Sequence, residues 1–420
     1  MNAALDVESL RGQFPALDRR VNDQRAVFFD GPAGSQVPQR VVDAVSRYLT
    51  DTNANNGGAF ATSLESGEVL AEAHCAVADL LGADDPAAVC FGPNMTTLTL
   101  ALSRALARTW EPGDEVVVTH LDHDANFTPW VLAARDAGAT VHRVRIRPED
   151  CALDLEDLRS KLSPRTRLVA VSCASNAVGN VNPVKEIARW VHEVGGQIFL
   201  DAVHYAPHAA IDVVDWDCDY LVCSAYKFFG PHVGALWGKR ELLGELPTYK
   251  VRPAADDLPD RWMSGTQNHE GIAGTLEAIN YLADIGRSLS FSKESAPGAT
   301  ERRRALLEAF RTIGEHERQL ARHLISRLAE LPDIRVWGIT DPARLDERVP
   351  TISFTHARRT PGEVAAHLGE RGIFVWSGNF YALPLTEALG LEPSGLVRVG
   401  ILHYNTEEEV DRLVEALREL

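Results

Sequence analysis

One aspartate and one lysine, 26 residues apart, stand out in the middle of the chain. Asp201 ends the apolar run QIFLD, and Lys227 lies between a serine and a glycine in SAYKFFG. A carboxylate can keep a ring nitrogen protonated, and a lysine amine can form an imine with an aldehyde. The pair therefore predicts a site for an aldehyde-bearing ring cofactor. Taken alone, the pair is equally compatible with Asp201 as a helix cap and Lys227 as a solvated loop lysine.

The segments around this pair alternate between strand and helix patterns. From about Val27 to Trp237, β-rich runs such as EVVVTH and RLVAVSC are each followed by an amphipathic stretch. This alternation predicts an α/β fold with a mostly parallel sheet between layers of helices. Because DYLVCS and GALWG follow QIFLD without a full helical crossover, we expect a mixed sheet near residues 201–237.

The pattern changes near Gly286, where a polar segment (288–304) leads into a long helix and then into shorter strand and helix patterns. At 420 residues the chain is long enough for a large and a small domain. We predict an N-terminal segment, 1–28, that packs on a small α+β domain, 286–420. Residues 29–285 are predicted to form the large domain, which holds the cofactor.

Composition and charge exclude several classes of partner. The net charge of −17 opposes binding to nucleic acid, which depends on clustered lysines and arginines. No apolar run approaches the roughly 20 residues of a membrane span. The first residues contain acids and lack the apolar core of a secretory signal, so we expect a cytoplasmic protein whose partner is a small molecule.

Two histidine pairs have a spacing that could suggest a metal site: His120 with His123, and His204 with His208. Neither pair has an HExxH pattern or an acidic third ligand, so we predict no metal site. The six cysteines show no CxxC spacing, which favours neither a zinc cluster nor a disulfide framework. No GxGxxG follows the first strands, which disfavours a dinucleotide.

Further motifs stand in a fixed order around the aspartate and lysine: FGPNMTTLTLAL, HLDHDANFTPW, SNAVGNVNP, RWMSGTQNHEGIAG and VRVGILHYNTEEEVDRLV. With them, residues 25–285 and the tail from about Gly372 resemble the class V aminotransferases, and in particular their cysteine desulfurase and selenocysteine lyase branch. That family has the fold type I architecture and uses pyridoxal 5′-phosphate (PLP). The resemblance implies PLP as cofactor, Lys227 as the catalytic imine-forming lysine and Asp201 as the partner of the ring nitrogen.

The resemblance also implies the other contacts of the cofactor. The phosphate is expected at the helix that opens after FGPNM, where N–H groups and the helix dipole favour an anion. His123 matches a histidine that stacks on the ring, and Thr266 a threonine that reaches the phosphate of a neighbouring subunit. A homodimer with shared active sites follows from that match. The cofactor-binding residues so implied are Asn94, Met95, Thr96, His123, Asn176, Asp201, His204, Ser224, Tyr226, Lys227 and Thr266.

The substrate side of the site is implied in the same way. Arg398 matches an arginine that grips the substrate carboxylate, since a guanidinium can hold a carboxylate with two hydrogen bonds. An amino-acid substrate follows. Asp30 begins a loop that resembles the family's substrate-side loop. Asn56, followed by Gly57, matches the position where the family has a His-Arg pair, with one residue deleted nearby. Tyr381 is expected to contact the substrate as well.

One departure from the family bears directly on the reaction. Cysteine desulfurases carry sulfur as a persulfide on a cysteine of the C-terminal domain, and the position of that cysteine matches Tyr381 here. A phenol cannot carry a persulfide, and no cysteine follows Cys223. Trp376 stands where the relatives have an arginine. Trp376, Tyr381 and Phe60 are candidate apolar walls of the substrate pocket, although each could equally be ordinary packing.

These observations favour a C–S lyase that performs β-elimination on a cysteine-derived amino acid without a persulfide relay. The same scaffold supports transamination and epimerisation, so an aminotransferase or an amino-acid epimerase is the alternative. A PLP-binding protein without turnover is a third hypothesis. The combination of Asp201, Lys227 and Arg398 argues against it.

Overall fold

A computed structural model of the chain describes residues 5–289 and 298–420. Its helices are α1 (Val7–Arg11), α2 (Gln39–Arg47), α3 (Ala61–Leu81), α4 (Met95–Ala107), α5 (Thr128–Ala137), α6 (Leu155–Ser160), α7 (Val184–Glu193), α8 (Arg240–Glu245), α9 (His269–Ser288), α10 (Glu301–Ala329), α11 (Pro361–Glu370), α12 (Leu383–Ala388) and α13 (Glu407–Arg418).

Its strands are β1 (Arg20–Val21), β2 (Gln24–Arg25), β3 (Val27–Phe28), β4 (Val89–Gly92), β5 (Glu115–Thr119), β6 (Thr140–Val144), β7 (Thr166–Ser172), β8 (Gln197–Asp201), β9 (Tyr220–Ser224), β10 (Gly234–Gly238), β11 (Ile334–Trp337), β12 (Thr351–His356), β13 (Ile373–Phe374), β14 (Trp376–Gly378) and β15 (Leu396–Gly400).

The large sheet has seven strands in the order β4-β10-β9-β8-β7-β5-β6. Strand β10 runs antiparallel to both of its neighbours, and the other pairings are parallel. The predicted mostly parallel, mixed sheet is therefore confirmed. The parallel strands β7, β8 and β9 end at Ser172, Asp201 and Ser224, and their carboxyl ends meet at one edge of the sheet. In open α/β sheets this edge is where ligands bind.

Helices cover both faces of the large sheet, because its strands are apolar on both sides. Successive side chains of a strand point to opposite faces. Phe199 of β8 accordingly packs in the core that contains Leu102 of α4 and Trp130 of α5. Its neighbour Leu200 packs in the core on the other face, with residues of α3, α7 and α9 such as Ile279.

The small sheet is antiparallel, in the order β11-β12-β15-β14, and it packs against α10, α11 and α13. Near the N-terminus, β3 pairs in parallel with β13, so residues 27–28 are tied to the C-terminal part of the chain. The division into 1–28, 29–285 and 286–420 stays a prediction. Residues 1–4 of the predicted N-terminal segment and residues 290–297 of the predicted polar segment lie outside the described residues.

A seam of hydrogen bonds joins the loop after β7 to the segment between β11 and β12. At its centre, the buried Arg348 guanidinium donates to the carbonyls of Val178 (3.1 Å), Thr351 (2.6 Å) and Ile339. The Val349 N–H donates to the Gly179 carbonyl at 2.8 Å. Arginine suits this place because its planar fork of donors can satisfy several carbonyls at once. The seam fixes the C-terminal part against the large sheet.

None of the helices within residues 5–289 and 298–420 is long and apolar enough to span a membrane. Over the same two ranges, no cluster of three or more histidine, cysteine, aspartate or glutamate side chains is arranged to bind a metal ion.

Candidate active site

A cavity of about 470 Å³ opens at the carboxyl edge of the large sheet, and its far wall comes from β14 and β15 of the small sheet. This volume lies in the range of small-molecule and cofactor sites. Many of the predicted site residues line it together, although they are distant in sequence. The predicted residues that line the cavity are Met95, Thr96, His123, Asn176, Asp201, His204, Tyr226, Lys227, Tyr381 and Arg398.

Lys227 lies in a short turn directly after β9, and its amine is largely buried. Burial, together with the positive charge of Arg398, lowers the pKa of Lys227 from 10.5 to about 7, although Asp201 opposes the shift. The amine donates a hydrogen bond to the Pro32 carbonyl. At neutral pH a substantial fraction of this amine is therefore unprotonated. An unprotonated lysine can act as a nucleophile or a base.

The Asp201 carboxylate faces the same cavity from the end of β8. Burial raises its pKa to about 6, while the Val203 N–H, which donates to Oδ1 at 2.9 Å, and the Lys227 amine oppose this shift. A positively charged partner would favour the ionised carboxylate. This environment suits a carboxylate that holds a protonated ring nitrogen.

Sequence reasoning missed two polar groups near Asp201. The Ser172 hydroxyl lines the cavity, is buried and has no hydrogen-bond partner among the described residues. Asp122 is fully buried, and burial is the main reason that its pKa rises to about 7. It accepts hydrogen bonds from Thr119 and Asn126. Asp122 lies within a motif quoted above, but a single sequence does not reveal that it is buried.

The N-terminus of α4 forms the end of the cavity predicted to hold a phosphate. Met95 and Thr96 line the cavity there, and the Met95 N–H donates to the Ser224 hydroxyl at 3.1 Å. The Asn94 side chain instead caps the helix by accepting from the Thr97 N–H at 2.9 Å, and it lies outside the lining. The Thr96 N–H, which takes part in none of these hydrogen bonds, and the positive end of the helix dipole suit a dianion.

A glycine in β10 allows this helix to begin so close to the sheet. A Cβ atom on Gly234 would lie 2.5 Å from the main-chain carbon of Asn94. Any other residue would displace the helix start, because atoms cannot approach to that distance without contact strain. The position of α4 therefore depends on Gly234.

Two histidines in the cavity are held in the neutral form. Burial lowers the pKa of His123 to about 4, and the positive charges of Lys227 and Arg398 add to the effect. The Nδ1 atom of His123 accepts from the Ala125 N–H at 3.0 Å, so a hydrogen of the neutral ring lies on Nε2. Burial also lowers the pKa of His204, whose Nε2 lies 2.9 Å from the Thr351 hydroxyl.

Arg398 projects from β15 and is buried at the small-sheet side of the cavity. Its Nη1 donates to the Asn176 carbonyl at 2.8 Å, and its guanidinium carbon lies 4.1 Å from the centre of the Phe380 ring. Burial lowers the pKa of Arg398 to about 9. Its Nε is buried without a partner in the described part of the chain. Such a guanidinium can still bind a carboxylate.

Besides Asn94 and Ser224, three predicted residues are not part of the cavity lining. Asp30 lies behind it, close enough to Arg398 for their charges to interact, and burial raises the pKa of Asp30 to about 6. Asn56 and Thr266 are exposed and lie outside the lining. Asn56 lies in the loop before α3, and its role at the substrate stays a prediction. Phe60, a candidate wall, is exposed in the same segment.

The loop from β14 to α12 supplies a wall that the sequence had only partly indicated. Trp376 and Tyr381 were candidate wall residues, and both line the cavity. Phe380 was missed, although it also lines the cavity and packs on Arg398. Tyr381 stacks on His123 with ring centres 5.4 Å apart. The letters NFYALP contain no feature that separates a cavity wall from ordinary packing.

The six cysteines all lie within the described residues, and none of them lines the cavity. Cys173 lies between the lining residues Ser172 and Ala174, and Cys223 directly precedes Ser224 at the end of β9. Both cysteines are buried. Burial raises the pKa of Cys223 to about 12 and that of Cys173 well above its usual value. A thiol with so high a pKa is a poor nucleophile at neutral pH. The six cysteines of the chain are Cys75, Cys90, Cys151, Cys173, Cys218 and Cys223.

The arrangement fits PLP. A buried amine and a buried carboxylate face one cavity, a neutral histidine can stack on a ring, and a helix N-terminus can hold a phosphate. Buried polar atoms without partners, Ser172 Oγ and Asn176 Oδ1, are available for further contacts with the cofactor or substrate. This fold and site define a PLP-dependent enzyme of fold type I.

Comparison with known proteins identifies the family. The model of the class-V aminotransferases matches residues 27–297 and 306–413, and the chain belongs to that family. It is 33% identical over 433 residues to "Aminotransferase-like protein FGM3" of Gibberella zeae, with 99% of this chain and 98% of the relative covered. It is 32% identical over 431 residues to a probable cysteine desulfurase of Mycolicibacterium paratuberculosis, with 99% of this chain but 58% of that relative covered.

A solved structure supports the same assignment. The apo structure of the cysteine desulfurase from Thermococcus onnurineus NA1 matches with a TM-score of 0.86 and 26% sequence identity. The match covers 100% of this chain and 99% of that one. The predicted fold class, the dependence on PLP and the membership of the class V family are therefore confirmed.

Proposed function

We propose that this enzyme cleaves the C–S bond of an S-substituted cysteine by β-elimination, without a persulfide relay through a cysteine of its own. The observation that carries the proposal is the composition of the cavity wall. Lys227, Asp201 and Arg398 line the cavity, Tyr381 lies at its mouth, and none of the six cysteines is part of the lining. Elimination needs no nucleophilic thiol, whereas a persulfide relay does.

The residues of the chain take separate roles in this reaction. Arg398 binds the substrate carboxylate, for which its unpartnered Nε is available. Lys227, whose pKa is about 7, removes the proton from Cα. Asp201 keeps the ring nitrogen protonated. When bound, PLP supplies the electron sink that makes the Cα proton removable.

The elimination itself balances with one water molecule. The C–S bond breaks, the sulfur leaves with the bonding electrons, and a proton converts the thiolate to a thiol. The remaining enamine acid hydrolyses to pyruvate and ammonia. An S-substituted cysteine and water thus give a thiol, pyruvate and ammonia, with no oxidant or reductant.

Pyruvate release from a panel of S-substituted cysteines tests the proposal. We expect pyruvate and thiol in equal amounts, no activity in Lys227→Ala, and unchanged activity in Val214→Ala, an exposed residue outside the cavity lining. Cysteine itself distinguishes the two chemistries, since a persulfide relay yields alanine. Alanine as the main product, or the lack of pyruvate from the whole panel, would overturn the proposal.

Transamination is the second candidate, and the name of the Gibberella zeae relative favours it. In that case the Lys227 amine would redeliver the proton that it removed from Cα, and no group would leave from Cβ. A screen of amino acids with 2-oxo acid acceptors separates the candidates. Amino transfer without pyruvate from cysteine derivatives would assign the enzyme to this second class.

We propose in addition that the enzyme is a homodimer in which Thr266 reaches the site of the partner. Thr266 is exposed, and Leu49, Phe60 and Leu64, on and before α3, are large apolar residues that are also exposed. Exposed apolar patches on soluble proteins often mark interfaces. Light scattering of the PLP-loaded enzyme tests the dimer, and loss of PLP affinity in Thr266→Ala tests the shared site. A cytoplasmic location is a further proposal, which the unpaired thiols of all six cysteines favour.

A further inference from the structure

We infer that the substrate carries a large, uncharged, apolar or aromatic group beyond Cβ, and that an aromatic wall of Trp376, Phe380 and Tyr381 binds this group. All three side chains line the cavity on the small-sheet side. The inference deepens the proposed function, since it names the class of substituent on the amino acid, and it rests on that function for the identity of the bond that breaks.

The position of Trp376 places the wall next to the substrate carboxylate. Trp376 lies directly opposite Arg398 in the pairing of β14 with β15. Directly opposite residues project from the same face of a sheet, with Cβ atoms roughly 5 Å apart. Both side chains line the cavity. A substrate whose carboxylate is bound by Arg398 therefore has Trp376 beside it.

The exposure of the wall is unusual for residues of this type. In the single chain, Trp376 is 52% exposed and Tyr381 is 71% exposed, although both belong to the cavity lining. Burying a large aromatic side chain away from water is favourable, and a side chain that stays exposed does not gain this free energy. Exposed apolar surface at a groove is typical of a binding site. The rings thus present apolar area that a ligand can cover.

Backbone contacts hold the wall in place, in addition to the packing of Phe380 on Arg398 and of Tyr381 on His123. Phe380 and Tyr381 are consecutive non-glycine residues with left-handed φ angles of 56° and 60°. The Phe380 carbonyl accepts from Asn176 Nδ2 at 2.8 Å, and the Tyr381 carbonyl accepts from the Asp124 N–H at 2.7 Å. Such conformations persist where surrounding contacts over-determine them, and they concentrate at functional sites.

The charges around the wall disfavour ionic substituents. A cationic group would lie near the buried Arg398 guanidinium, whose like charge opposes the attraction that the ring faces offer to a cation. An anionic group would meet the negative faces of the aromatic rings and would compete with the substrate carboxylate for Arg398. An uncharged apolar or aromatic group meets neither penalty, and offset or edge contacts with the rings favour it.

Three S-substituted cysteines test this inference on the PLP-loaded enzyme. We expect kcat/KM for pyruvate release from S-benzylcysteine to exceed that from S-methylcysteine by about tenfold or more, because the ring covers more apolar surface. S-carboxymethylcysteine should be the poorest of the three. Trp376→Ala should reduce the benzyl-to-methyl ratio to below about threefold, and Trp376→Phe should keep most of it. Val214→Ala is the control for loss of an exposed apolar side chain elsewhere.

Binding of amino acids that cannot eliminate separates this inference from the proposed function. Phenylalanine and alanine are titrated against the absorbance of bound PLP, which also verifies that each variant is folded and loaded. Tighter binding of phenylalanine, lost in Trp376→Ala, supports the aromatic wall even if no substrate releases pyruvate. Pyruvate release at equal efficiency from all three cysteines, with equal binding of phenylalanine and alanine, would overturn the wall and leave the lyase intact.

Discussion

The buried amine of Lys227 is expected to destabilise the protein when PLP is absent. Its pKa is lowered from 10.5 to about 7 in the folded chain. The unfolded chain therefore binds more protons between these two values, so the stability contribution of Lys227 rises with pH over that window and the full penalty applies below it. Lys227→Met keeps the length of the side chain and removes the charge. We expect this variant to be more stable than the unchanged protein after PLP is stripped from both.

The size of the effect follows from the two pKa values. The charge penalty integrates to about 5 kcal/mol at pH 6 and about 1.5 kcal/mol at pH 9.5. The Lys227 amine donates to the Pro32 carbonyl, a hydrogen bond worth about 1 kcal/mol that methionine loses. The net gain is about 4 kcal/mol at pH 6 and below about 1 kcal/mol at pH 9.5. For a chain of 420 residues this corresponds to a Tm increase of about 4–5 °C at pH 6.

Thermal unfolding of PLP-free protein at a series of pH values measures this difference. Lys239→Met is the matched control, because the pKa of Lys239 is raised by hydrogen bonds and ion pairs with Asp217 and Asp219, which outweigh its partial burial. That variant should lower Tm, the opposite sign. Equal Tm values for Lys227→Met and the unchanged protein at pH 6, or a difference that does not shrink towards pH 9.5, would refute the reasoning.

Three further substitutions test the roles of individual residues. Arg398→Lys removes the planar fork and should raise KM for amino acids about tenfold or more without changing PLP absorbance; an unchanged KM would contradict the carboxylate role. Asp201→Asn should slow the exchange of the Cα proton of alanine with D2O by about 10²-fold or more, and Asp201→Glu should be faster than Asp201→Asn. Equal exchange rates in Asp201→Asn and the unchanged enzyme would exclude Asp201 as the partner of the ring nitrogen. Tyr381→Phe keeps the aromatic face and should change kcat/KM by less than about threefold, whereas a large loss with an altered pH profile would make the Tyr381 hydroxyl an acid or base.

The large sheet could be predicted because its signals are local. Each apolar run and the amphipathic stretch after it occupy neighbouring positions in the chain, and the lack of a full helical crossover between residues 201 and 237 indicated a mixed sheet. The pairing of β3 with β13 could not be predicted. Each of these strands has two residues, and residues 27–28 and 373–374 are far apart in sequence, so no local pattern encodes their contact.

The candidate site could be predicted where its residues end strands or open helices. Asp201 and the start of α4 belong to that group, since their position at the carboxyl edge follows from the fold. Phe380 and Asp122 could not be found in this way. The role of Phe380 depends on a hydrogen bond from Asn176, which is 204 positions away, and that of Asp122 depends on complete burial. Asn56 was placed by resemblance alone, and the loop that carries it departs from the family.

The seam around Arg348 limits how the molecule can open to admit a substrate. Arg348 donates to carbonyls of the loop after β7 and of the segment between β11 and β12. Separating these two segments would break the hydrogen bonds of a buried charge and of several carbonyls, which is costly in free energy. A hinge-like swing of the small sheet away from the large one would break this arrangement. Release of the loop at Phe380 and Tyr381 requires the loss of two main-chain acceptor contacts at its tip. We therefore expect the enzyme to admit its ligand by local gating at that loop, while the body of the protein moves as one piece.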